Sequence, residues 1–405
     1  MRIGMMADFY KPHVSGVTNV ISLNKQYLEK LGHDVFVFTF STQAKEKPYV
    51  DDESNIIRSP GFSMLDTGYH FNVRYSKEAR RLVQTMDIVN VHHPILSGPL
   101  ALRYCRPRGI PIVFTTHTRY DLYAQIYLPA VADIIGGTAL ESYLPAFCRL
   151  IDVTIAPSAG MRDVLRRMGV DAKITVVPNG VDIKPFRSPE KVLDRKSFGF
   201  KQDDILLMYV GRLGPEKNLP FLLRSFRGLA LAYDRVYLLL VGEGPASEDM
   251  RDMVKQMKME SRVRFTGLIP YDELPGYLAM GDAFVTASIS EVHPLSVIEA
   301  MASGLPVLGI QSPGIGDTIE DGATGFLVDG EDLAAFTAKM MLLSTGHEKR
   351  KQMGNQAKVA AEEYSIERTI KVLVDCYQHA IDASAKRKRT WSTRVNRVFD
   401  RWRKT

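Results

Sequence analysis

The sequence has little cysteine and no long uninterrupted apolar segment. Its three cysteines, Cys105, Cys148 and Cys376, are far apart, odd in number and without metal-ligand spacing, which argues against a disulfide framework and favours a reducing compartment. There is no run of 18 or more apolar residues. Residues 1–10 also lack the apolar core of a signal peptide. We therefore expect a cytosolic chain without a transmembrane helix.

Length and hydrophobic content favour two domains. The chain has 405 residues, of which 45% are hydrophobic, enough for two cores. The formal net charge of +6 is uneven, because residues 386–405 contain nine Lys or Arg and a single Asp. The other 385 residues are therefore slightly acidic. This confines the basicity to a tail and argues against a nucleic-acid-binding fold.

The first half alternates short apolar runs with helical patterns. Arg2–Ala7 is expected to be a buried strand, followed by a loop containing Gly16, a helix at Thr18–Leu31 and a strand at Asp34–Phe40. This order is typical of a doubly wound α/β domain. Residues 45–80 appear polar and irregular, with a turn at Ser59–Gly61. The further expected elements are strands at Asp87–His92, Ile110–Thr116, Asp152–Ala156 and Ile174–Val177, packing helices within Leu122–Leu150, and a helix at Ala159–Met168 capped by Ser158.

The second half opens in the same way, with a strand at Ile205–Val210, a loop at Gly211–Asn218 and a helix to Ala232. Further strands are expected at Val236–Gly242, Val263–Phe265, Ala283–Ala287 and Val307–Ile310, and helices at Leu274–Met280, Glu331–Leu343, Glu348–Glu363 and Ile366–Ala383. These patterns predict a first domain at 1–182, a linker at 183–190, a second domain at 191–365, a final helix at 366–383 and a tail at 384–405.

The most informative stretch is Glu291–Pro306, which holds two carboxylates eight positions apart. A helix is expected from Pro294, suited to the first helical position, to Ser303, with Gly304 ending it. Glu291 would precede the helix, and Glu299 would lie inside it among apolar side chains. Because a helix N-terminus attracts anions, a pyrophosphate there would leave both carboxylates to accept sugar hydroxyls. The plain alternative is an amphipathic helix with one solvated glutamate.

Three loops at the carboxyl ends of expected strands hold further candidates. Arg212 and Lys217 could clamp a diphosphate, since Arg can form bidentate bonds and Lys adds a point charge. Gly16 lies where a helix N-terminus follows the first strand. His117 follows Ile110–Thr116 and would point into the crevice where ligands bind. Surface charge, a plain turn and a locally satisfied histidine remain the respective alternatives, and His92 and His93 are weaker candidates.

Several of these segments resemble the retaining glycosyltransferases grouped as family 4. Glu291 to Glu299 resembles the E-x7-E signature, and the following Ala300–Val307 continues the likeness, although His293-Pro294 replaces the usual aromatic-Gly pair. Similar matches are the Pro-Asn-Gly-Val-Asp at 178–182, the Gly-Arg-Leu and Glu-Lys-Asn of 211–218, the Gly-Glu-Gly-Pro at 242–245 and the segment 321–328. Pro313 departs from the family's Gly-Gly. The resemblance covers about residues 1–380.

The resemblance implies two Rossmann-like domains facing each other across a cleft, the arrangement called GT-B. It also implies that the final helix, 366–383, crosses back to the first domain. It implies transfer of a sugar from a nucleotide-sugar with retention of configuration and without a covalent nucleophile. Arg212 and Lys217 would stabilise the leaving diphosphate beside Pro294 and Leu295. Further roles follow for Glu299 at the nucleotide ribose, Glu291 at the sugar hydroxyls, Gly16 near the phosphate and His117 at the sugar. No metal or other cofactor is expected, since there is no Asp-x-Asp cluster.

The tail suggests the acceptor. Trp391, Val395, Val398 and Trp402 follow a helical spacing among arginines, which is the composition of an interfacial helix on an anionic membrane. A disordered tail and nucleic-acid binding remain as alternatives. We expect a peripheral protein at the inner face of the cell membrane, using Lys386–Thr405 as its contact.

The favoured reaction transfers glucose from UDP-glucose to a diacylglycerol-type lipid, because His117–Tyr120 resembles the diacylglycerol glucosyltransferases. Phosphatidylinositol mannosyltransferases, which belong to the same family and would use GDP-mannose, are the alternative, as is a soluble or polysaccharide acceptor. From other classes, a nucleotide-sugar epimerase and a non-catalytic nucleotide-binding module remain possible readings.

Overall fold

Short runs of consecutive apolar residues form the strands in both halves of the chain, because parallel strands are buried on both faces. The computed structural model describes residues 1–13, 15–42, 51–63, 70–72, 74–122 and 137–402. The strands of its first sheet are β1 Arg2–Met6, β2 Asp34–Thr42, β3 Ile56–Ser63, β4 His70–Phe71, β5 Ile88–Val91, β6 Ile112–Thr115, β7 Val153–Ala156 and β8 Ile174–Val176. Their order is β4-β3-β2-β1-β5-β6-β7-β8, and every pair is parallel except β3 with β4.

The second sheet is parallel throughout, in the order β11-β10-β9-β12-β13-β14. Its strands are β9 Ile205–Val210, β10 Val236–Val241, β11 Val263–Gly267, β12 Ala283–Val285, β13 Val307–Ile310 and β14 Gly325–Val328. The expected pair of doubly wound domains is therefore confirmed. The strand β9 lies between β10 and β12, and β1 lies between β2 and β5, so each sheet has a switch point at its first strand.

Helices cover both faces of each sheet. In the described part of the chain they are α1 Gly16–Lys30, α2 Lys77–Val83, α3 Ser97–Tyr104, α4 Gly137–Arg149, α5 Ala159–Arg167, α6 Lys184–Arg187, α7 Leu219–Ala232, α8 Ser247–Gln256, α9 Leu274–Leu278, α10 Leu295–Ala302, α11 Ile315–Thr318, α12 Leu333–Thr345, α13 His347–Ala360 and α14 Ile366–Trp402. Successive residues of a strand point to opposite faces of the sheet and so pack in different cores. In β9, Leu207 packs with Phe226 of α7 on one face, whereas Met208 packs with Ile298 of α10 on the other. Within the described ranges, every helix is too short or too polar to span a bilayer.

The final helix, α14, packs on the first domain. Ile370 and Tyr377 join the core formed by Ile3 and Met5 of β1 and Ile21 of α1. The chain passes between the domains twice, near Val181 and again near Ile366. These two segments lie side by side, since Val181 and the 364–366 segment exchange backbone hydrogen bonds of 2.9 Å. The sequence-based expectation of a helix that returns to the first domain therefore agrees with these contacts.

A glycine allows this return. A Cβ on Gly180 would lie 2.2 Å from Thr369 Oγ1 and 2.8 Å from Ile366 Cα, closer than side chains tolerate. The glycine of the Pro-Asn-Gly-Val-Asp segment is thus required by helix packing and not only by the turn. The expected linker, 183–190, contains the short helix α6, whose Phe186 is buried in the core of the second domain.

Three expectations about elements were wrong. The segment 45–80 is not irregular throughout: Ile56–Ser63 is a strand parallel to β2, and Ser59–Gly61, expected as a turn, lies within it. Pairing with β2 overrides the local turn signal, and Pro60 is tolerated because β4 pairs with only the end of β3. Pro294 precedes α10 with extended backbone instead of occupying its first position.

The third correction concerns the C-terminus. The helix does not end at Ala383 but continues unbroken to Trp402, because the basic and aromatic residues of the tail keep a helical pattern. The side chains of 388–405, on which the expected apolar face depends, lie outside the described residues. So do residues 123–136 of the expected helical segment Leu122–Leu150, within which α4 is seen.

A buried polar chain joins α14 to the first sheet. Asn90 Nδ2 in β5 donates to Tyr377 Oη over 2.7 Å, and Asn90 Oδ1 accepts from Thr115 Oγ1 in β6 over 3.0 Å. Replacing Tyr377 with Phe should leave the Asn90 amide buried without this acceptor, which costs about 1–3 kcal/mol of unfolding free energy. Urea denaturation measures the loss.

Tyr364→Phe is the matched control, because Tyr364 Oη makes an exposed hydrogen bond of 3.1 Å to the Asp317 carbonyl. We expect the control to change the free energy of unfolding by less than about 1 kcal/mol. Equal losses in the two variants would show that the Asn90–Tyr377 bond does not hold α14 in place.

Candidate active site

The loops that follow β9 and β12 lie side by side at the switch point of the second sheet. Open α/β sheets bind ligands outside the carboxyl ends of their strands at this point. The first loop is Gly211–Asn218, and the second, 286–294, leads into α10. Ser290 Oγ donates to the Glu216 carbonyl over 3.1 Å, which ties the loops together. The topology therefore brings Arg212, Lys217 and Glu291 into one site.

A neighbouring glycine loop fixes the position of Arg212. Leu213 N donates to the Glu243 carbonyl over 3.1 Å, and a Cβ on Gly244 would lie 2.4 Å from the Leu213 carbonyl oxygen. A Cβ on Gly242 would lie 2.1 Å from the Gly211 carbonyl oxygen. The Gly-Glu-Gly-Pro segment is thus the surface on which the Gly211–Leu213 backbone rests.

Lys217 and Glu291 form an ion pair of 2.6 Å, and each side chain is about one-fifth exposed. Burial by itself raises the pKa of Glu291, but the Lys217 ammonium outweighs it and holds that pKa below the usual value. Burial would conversely lower the pKa of Lys217, and the Glu291 carboxylate raises it above the usual value. Both groups are therefore charged near neutral pH. The sequence predicted separate partners for them, whereas the structure joins them to each other.

Glu299 lies in a different environment. It is 4% exposed, in the second turn of α10, among the buried Val297, Ile298, Ala300 and Met301. Burial raises its pKa to about 7, although a hydrogen bond from Tyr271 opposes this shift. Tyr271 Oη donates to Glu299 Oε1 over 2.7 Å. The expectation that Glu299 is surrounded by apolar side chains is confirmed, and Tyr271 is a partner that the sequence did not reveal.

The start of α10 carries Pro294 and Leu295. Pro294 is buried, and no described side chain caps the helix there. The first N–H groups of a helix lack intrahelical partners, so this end can bind an anion such as a phosphate. Its position directly after Glu291 places that capacity beside the Lys217–Glu291 pair.

The first domain contributes the loop after β1. Gly16 is the first residue of α1, and Ser15 caps that helix by accepting from Thr18 N over 3.2 Å. A Cβ on Gly16 would have no described protein atom within 4 Å. Packing within the described protein therefore does not require glycine here. Burial, and then the positive charge of Arg212 in the second domain, lower the pKa of His13 in this loop.

Histidines line the first domain beside this loop. His117 Nε2 lies 2.9 Å from His92 Nδ1, and the two rings stack with centroids 5.1 Å apart. Burial lowers the pKa of His117 to about 4, and burial followed by the neighbouring histidines holds the pKa of His92 well below the usual value. Both rings are neutral at physiological pH and act as hydrogen-bonding groups.

Asp8 is a second group that the sequence analysis did not single out. It lies two residues after the end of β1, and its Oδ1 accepts from Ser97 N over 2.8 Å at the start of α3. Its backbone N–H donates to His93 Nδ1 over 3.1 Å. Burial raises the pKa of Asp8 to about 6, against the effect of the Ser97 bonds. Its place at the carboxyl end of the first strand is the signal that could have found it.

The two domains also contact each other beside the cleft. Gly160 N, at the start of α5, donates to Asp317 Oδ2 of α11 over 2.7 Å. Val292, next to Glu291, packs in a core of the first domain. Among the described residues, no group of three or more His, Cys, Asp or Glu side chains is arranged to hold a metal ion.

Glu299 should make stability depend on pH. Its folded-state pKa of about 7 lies above the ordinary 4.5, so its contribution is complete below about pH 4.5 and is lost as pH rises through about 7. In Glu299→Gln, which cannot ionise, the free energy of unfolding should fall less between pH 5 and pH 8 than in the wild type. The difference should reach up to about 3 kcal/mol, since one pKa unit is worth about 1.4 kcal/mol.

Denaturant titrations at the two pH values provide the measurement. Glu331→Gln is the matched control, because Glu331 is exposed and should follow the wild type. If Glu299→Gln and the wild type lose the same stability between pH 5 and pH 8, Glu299 is ionised throughout that range and the raised pKa is wrong.

Comparisons with known proteins identify the family of the chain. Residues 190–360 match the family model described as Glycosyl transferases group 1, and residues 14–184 match that described as Glycosyltransferase Family 4. An Alpha-monoglucosyldiacylglycerol synthase of Streptococcus pneumoniae is 32% identical over 344 residues, covering 82% of this chain and 77% of the relative. A protein of the same name from Acholeplasma laidlawii is 27% identical, covering 96% of this chain and 99% of the relative.

Solved structures share the architecture. A sucrose-phosphate synthase from Thermosynechococcus elongatus superimposes with a TM-score of 0.79 at 19% identity, covering 94% of this chain and 99% of that one. HepE of Anabaena, in complex with UDP-glucose, gives a TM-score of 0.73 at 17% identity, with 94% and 100% covered. Two facing Rossmann-like domains, matched family models and these relatives lead to one conclusion: the chain is a glycosyltransferase that belongs to group 1, family 4, and has the GT-B fold.

Proposed function

We propose that the protein transfers glucose from UDP-glucose to a diacylglycerol-type lipid at a membrane surface, with retention of configuration. The observation that carries this proposal is the likeness, over most of both chains, to two proteins named Alpha-monoglucosyldiacylglycerol synthase. Their name specifies an alpha-glucoside of a lipid. Because UDP-glucose is itself an alpha-linked donor, an alpha product corresponds to retention.

The donor would lie across the switch point of the second sheet. Glu299 is placed to accept ribose hydroxyls, with Tyr271 holding one carboxylate oxygen. The N-terminus of α10, at Pro294 and Leu295, and the side chains of Arg212 and Lys217 are placed to bind the diphosphate. Glu291 fixes the Lys217 ammonium and offers its remaining oxygen to a sugar hydroxyl. Gly16 lets the α1 N-terminus approach the diphosphate from the other domain.

In the reaction, the bond from the sugar C1 to the diphosphate oxygen breaks, and a bond from C1 to the acceptor oxygen forms on the same face. The acceptor's proton passes to the leaving diphosphate oxygen. Arg212 and Lys217 stabilise the charge that develops on that oxygen, which is electrostatic catalysis. His117 orients the sugar as a neutral hydrogen-bonding group. We propose that these side chains do this without a metal ion.

Product analysis tests the reaction and its alternatives together. Labelled UDP-glucose and GDP-mannose are each incubated with a membrane lipid extract and separately with soluble sugars, in excess EDTA. Labelled glycolipid from UDP-glucose supports the proposal, and alkaline hydrolysis followed by anomer analysis checks retention. The proposal is contradicted if label appears only in products of GDP-mannose or only in soluble glycans. It is also contradicted if the label is found only in an epimerised nucleotide-sugar or only in unchanged donor, or if the reaction needs Mg²⁺ or Mn²⁺.

Arg212→Ala should reduce turnover at least a hundredfold, because loss of one preorganised donor to the developing charge costs roughly 2.7–4 kcal/mol. The melting temperature should stay near that of the wild type. Arg224→Ala, on the exposed face of α7, is the matched control and should keep full activity. Turnover of Arg212→Ala within tenfold of the wild type would show that Arg212 does not take part in the reaction.

Lys217→Ala should lose both activity and stability, since it leaves Glu291 partly buried and unpaired.

The tail prediction rests on its composition. A protein ending at Arg387 keeps the contacts of α14, including the Arg387–Asp152 ion pair and the Ser384 hydroxyl bond to the Gly109 carbonyl. We expect it to lose cosedimentation with anionic liposomes but to keep UDP binding. In the full chain, binding should weaken with salt, because exposed charges are screened over about 10 Å at 0.1 M.

Two full-length variants separate charge from aromatic insertion. Replacing Arg394, Arg397 and Arg401 with Gln removes three of the nine basic residues of 386–405 and should weaken the salt-sensitive part of the binding. Replacing Trp391 and Trp402 with Ala should instead remove the part that persists at high salt. If the shortened protein cosediments as well as the full chain, residues 388–405 are not the membrane contact.

A further inference from the structure

One proton lies between the rings of His92 and His117. The ring that carries it decides whether the other nitrogen of His117 is a hydrogen-bond donor or an acceptor toward a ligand. His92 is fully buried beyond the end of β5, and His117 is partly exposed beyond the end of β6. The nitrogens His92 Nδ1 and His117 Nε2 are 2.9 Å apart, so one must donate and the other accept. Since both rings are neutral, each carries a single N–H.

If His117 Nε2 donated, the N–H of His92 would have to be at Nε2. That nitrogen is buried and has no hydrogen-bond partner among the described residues. An orphaned buried N–H is rarer and more costly than an acceptor that keeps an unused lone pair. In the opposite arrangement, His92 Nδ1 donates to His117 Nε2, and only the lone pair of His92 Nε2 is left without a partner.

We infer that His92 is a positioning residue that fixes His117 as the Nδ1–H tautomer. His117 then carries its single proton on Nδ1, the nitrogen not held by His92, and presents a hydrogen-bond donor. The chemistry that it fits is an oxygen acceptor: a hydroxyl or ring oxygen of the donor sugar, or an oxygen of the leaving diphosphate. This assignment of a ligand rests on the proposed function, whereas the tautomer itself does not.

The neighbouring histidine shows that the protein controls each ring separately. His93 Nδ1 accepts from the backbone N–H of Asp8 over 3.1 Å, so its proton lies on Nε2, the opposite tautomer from His117. His93 Nε2 is also buried without a partner among the described residues, but the backbone donor leaves this ring no other neutral tautomer, whereas His92 has one. A backbone donor fixes His93, and a buried side-chain donor fixes His117. Two adjacent strand ends thus hold neutral imidazoles in defined and different states.

The first measurement reads the tautomer directly in the wild-type protein. Nitrogen-15 labelling of the nine histidines, with His117→Gln to assign the signal, distinguishes a protonated pyrrole-type Nδ1 from an unprotonated pyridine-type Nδ1. We expect pyrrole-type Nδ1 and pyridine-type Nε2 for His117 at pH 7. The reverse pattern, or a fast mixture of both, overturns the inference whatever the protein's activity.

The second measurement uses two substitutions at one position. His92→Phe keeps a ring but removes the donor, and kcat with the nucleotide-sugar should fall about tenfold or more, with the His117 signal averaged between tautomers. His92→Asn keeps an N–H near the position of Nδ1, and it should restore most of kcat and the pyrrole-type Nδ1 signal. Equal kcat in His92→Phe and the wild type, or equal loss in both variants, contradicts a positioning role.

The outcomes separate this inference from the proposed function. A protein that lacks glucosyltransfer to lipid but shows the Nδ1–H tautomer of His117, lost in His92→Phe and kept in His92→Asn, supports the inference while refuting the function. A protein that transfers glucose with His117 protonated on Nε2 does the reverse. If His92→Phe does not fold, the wild-type spectrum and His92→Asn still decide the question.

Discussion

The Lys217–Glu291 ion pair is the contact on which the arrangement of the site depends. It joins the loop that follows β9 to the loop that follows β12, and these loops belong to adjacent strands of the second sheet. Each charge compensates the other where water is largely excluded, so neither loop can move away without leaving a partly buried charge. The ordinary strand order places the loops together, and the pair then sets where Arg212 on one side and α10 on the other can lie.

The two glutamates of the E-x7-E segment take opposite electrostatic roles although they are only eight positions apart. Glu291 is ionised because an ammonium lies against it, and its pKa is below the usual value. Glu299 has only a neutral hydroxyl, Tyr271, against one oxygen, and burial raises its pKa to about 7. The Lys217 ammonium beside Glu291, and the burial of Glu299 beside a neutral hydroxyl, account for this difference.

Local signals made the elements predictable, whereas contacts between distant segments did not. Ser158 caps α5 and Gly304 follows the end of α10, as expected from residues within one turn of each end. Ile56–Ser63 was missed because its partner strand, and not its own composition, makes it a strand. The bond from Tyr271 to Glu299 spans 28 residues, and that from His92 to His117 spans 25. The sequence could place each of these residues at a strand end or on a helix, but pairing them required the topology.

The course of α14 constrains how a membrane-bound tail could serve the site. The helix reaches the first domain beside Val181, and the last of its described contacts are with Gly109 and Asp152, which precede β6 and β7. Ser384 and Arg387, just before the tail, therefore lie at the amino ends of these strands, whereas His117 lies beyond their carboxyl ends. A four-residue strand is about 13 Å long, so the start of the tail and the site lie at opposite ends of the strands. A tail bound to a bilayer would then act as a tether that raises the local concentration of lipid. The lipid acceptor would have to reach the carboxyl ends of the strands, near His117, and not the amino ends, near the start of the tail.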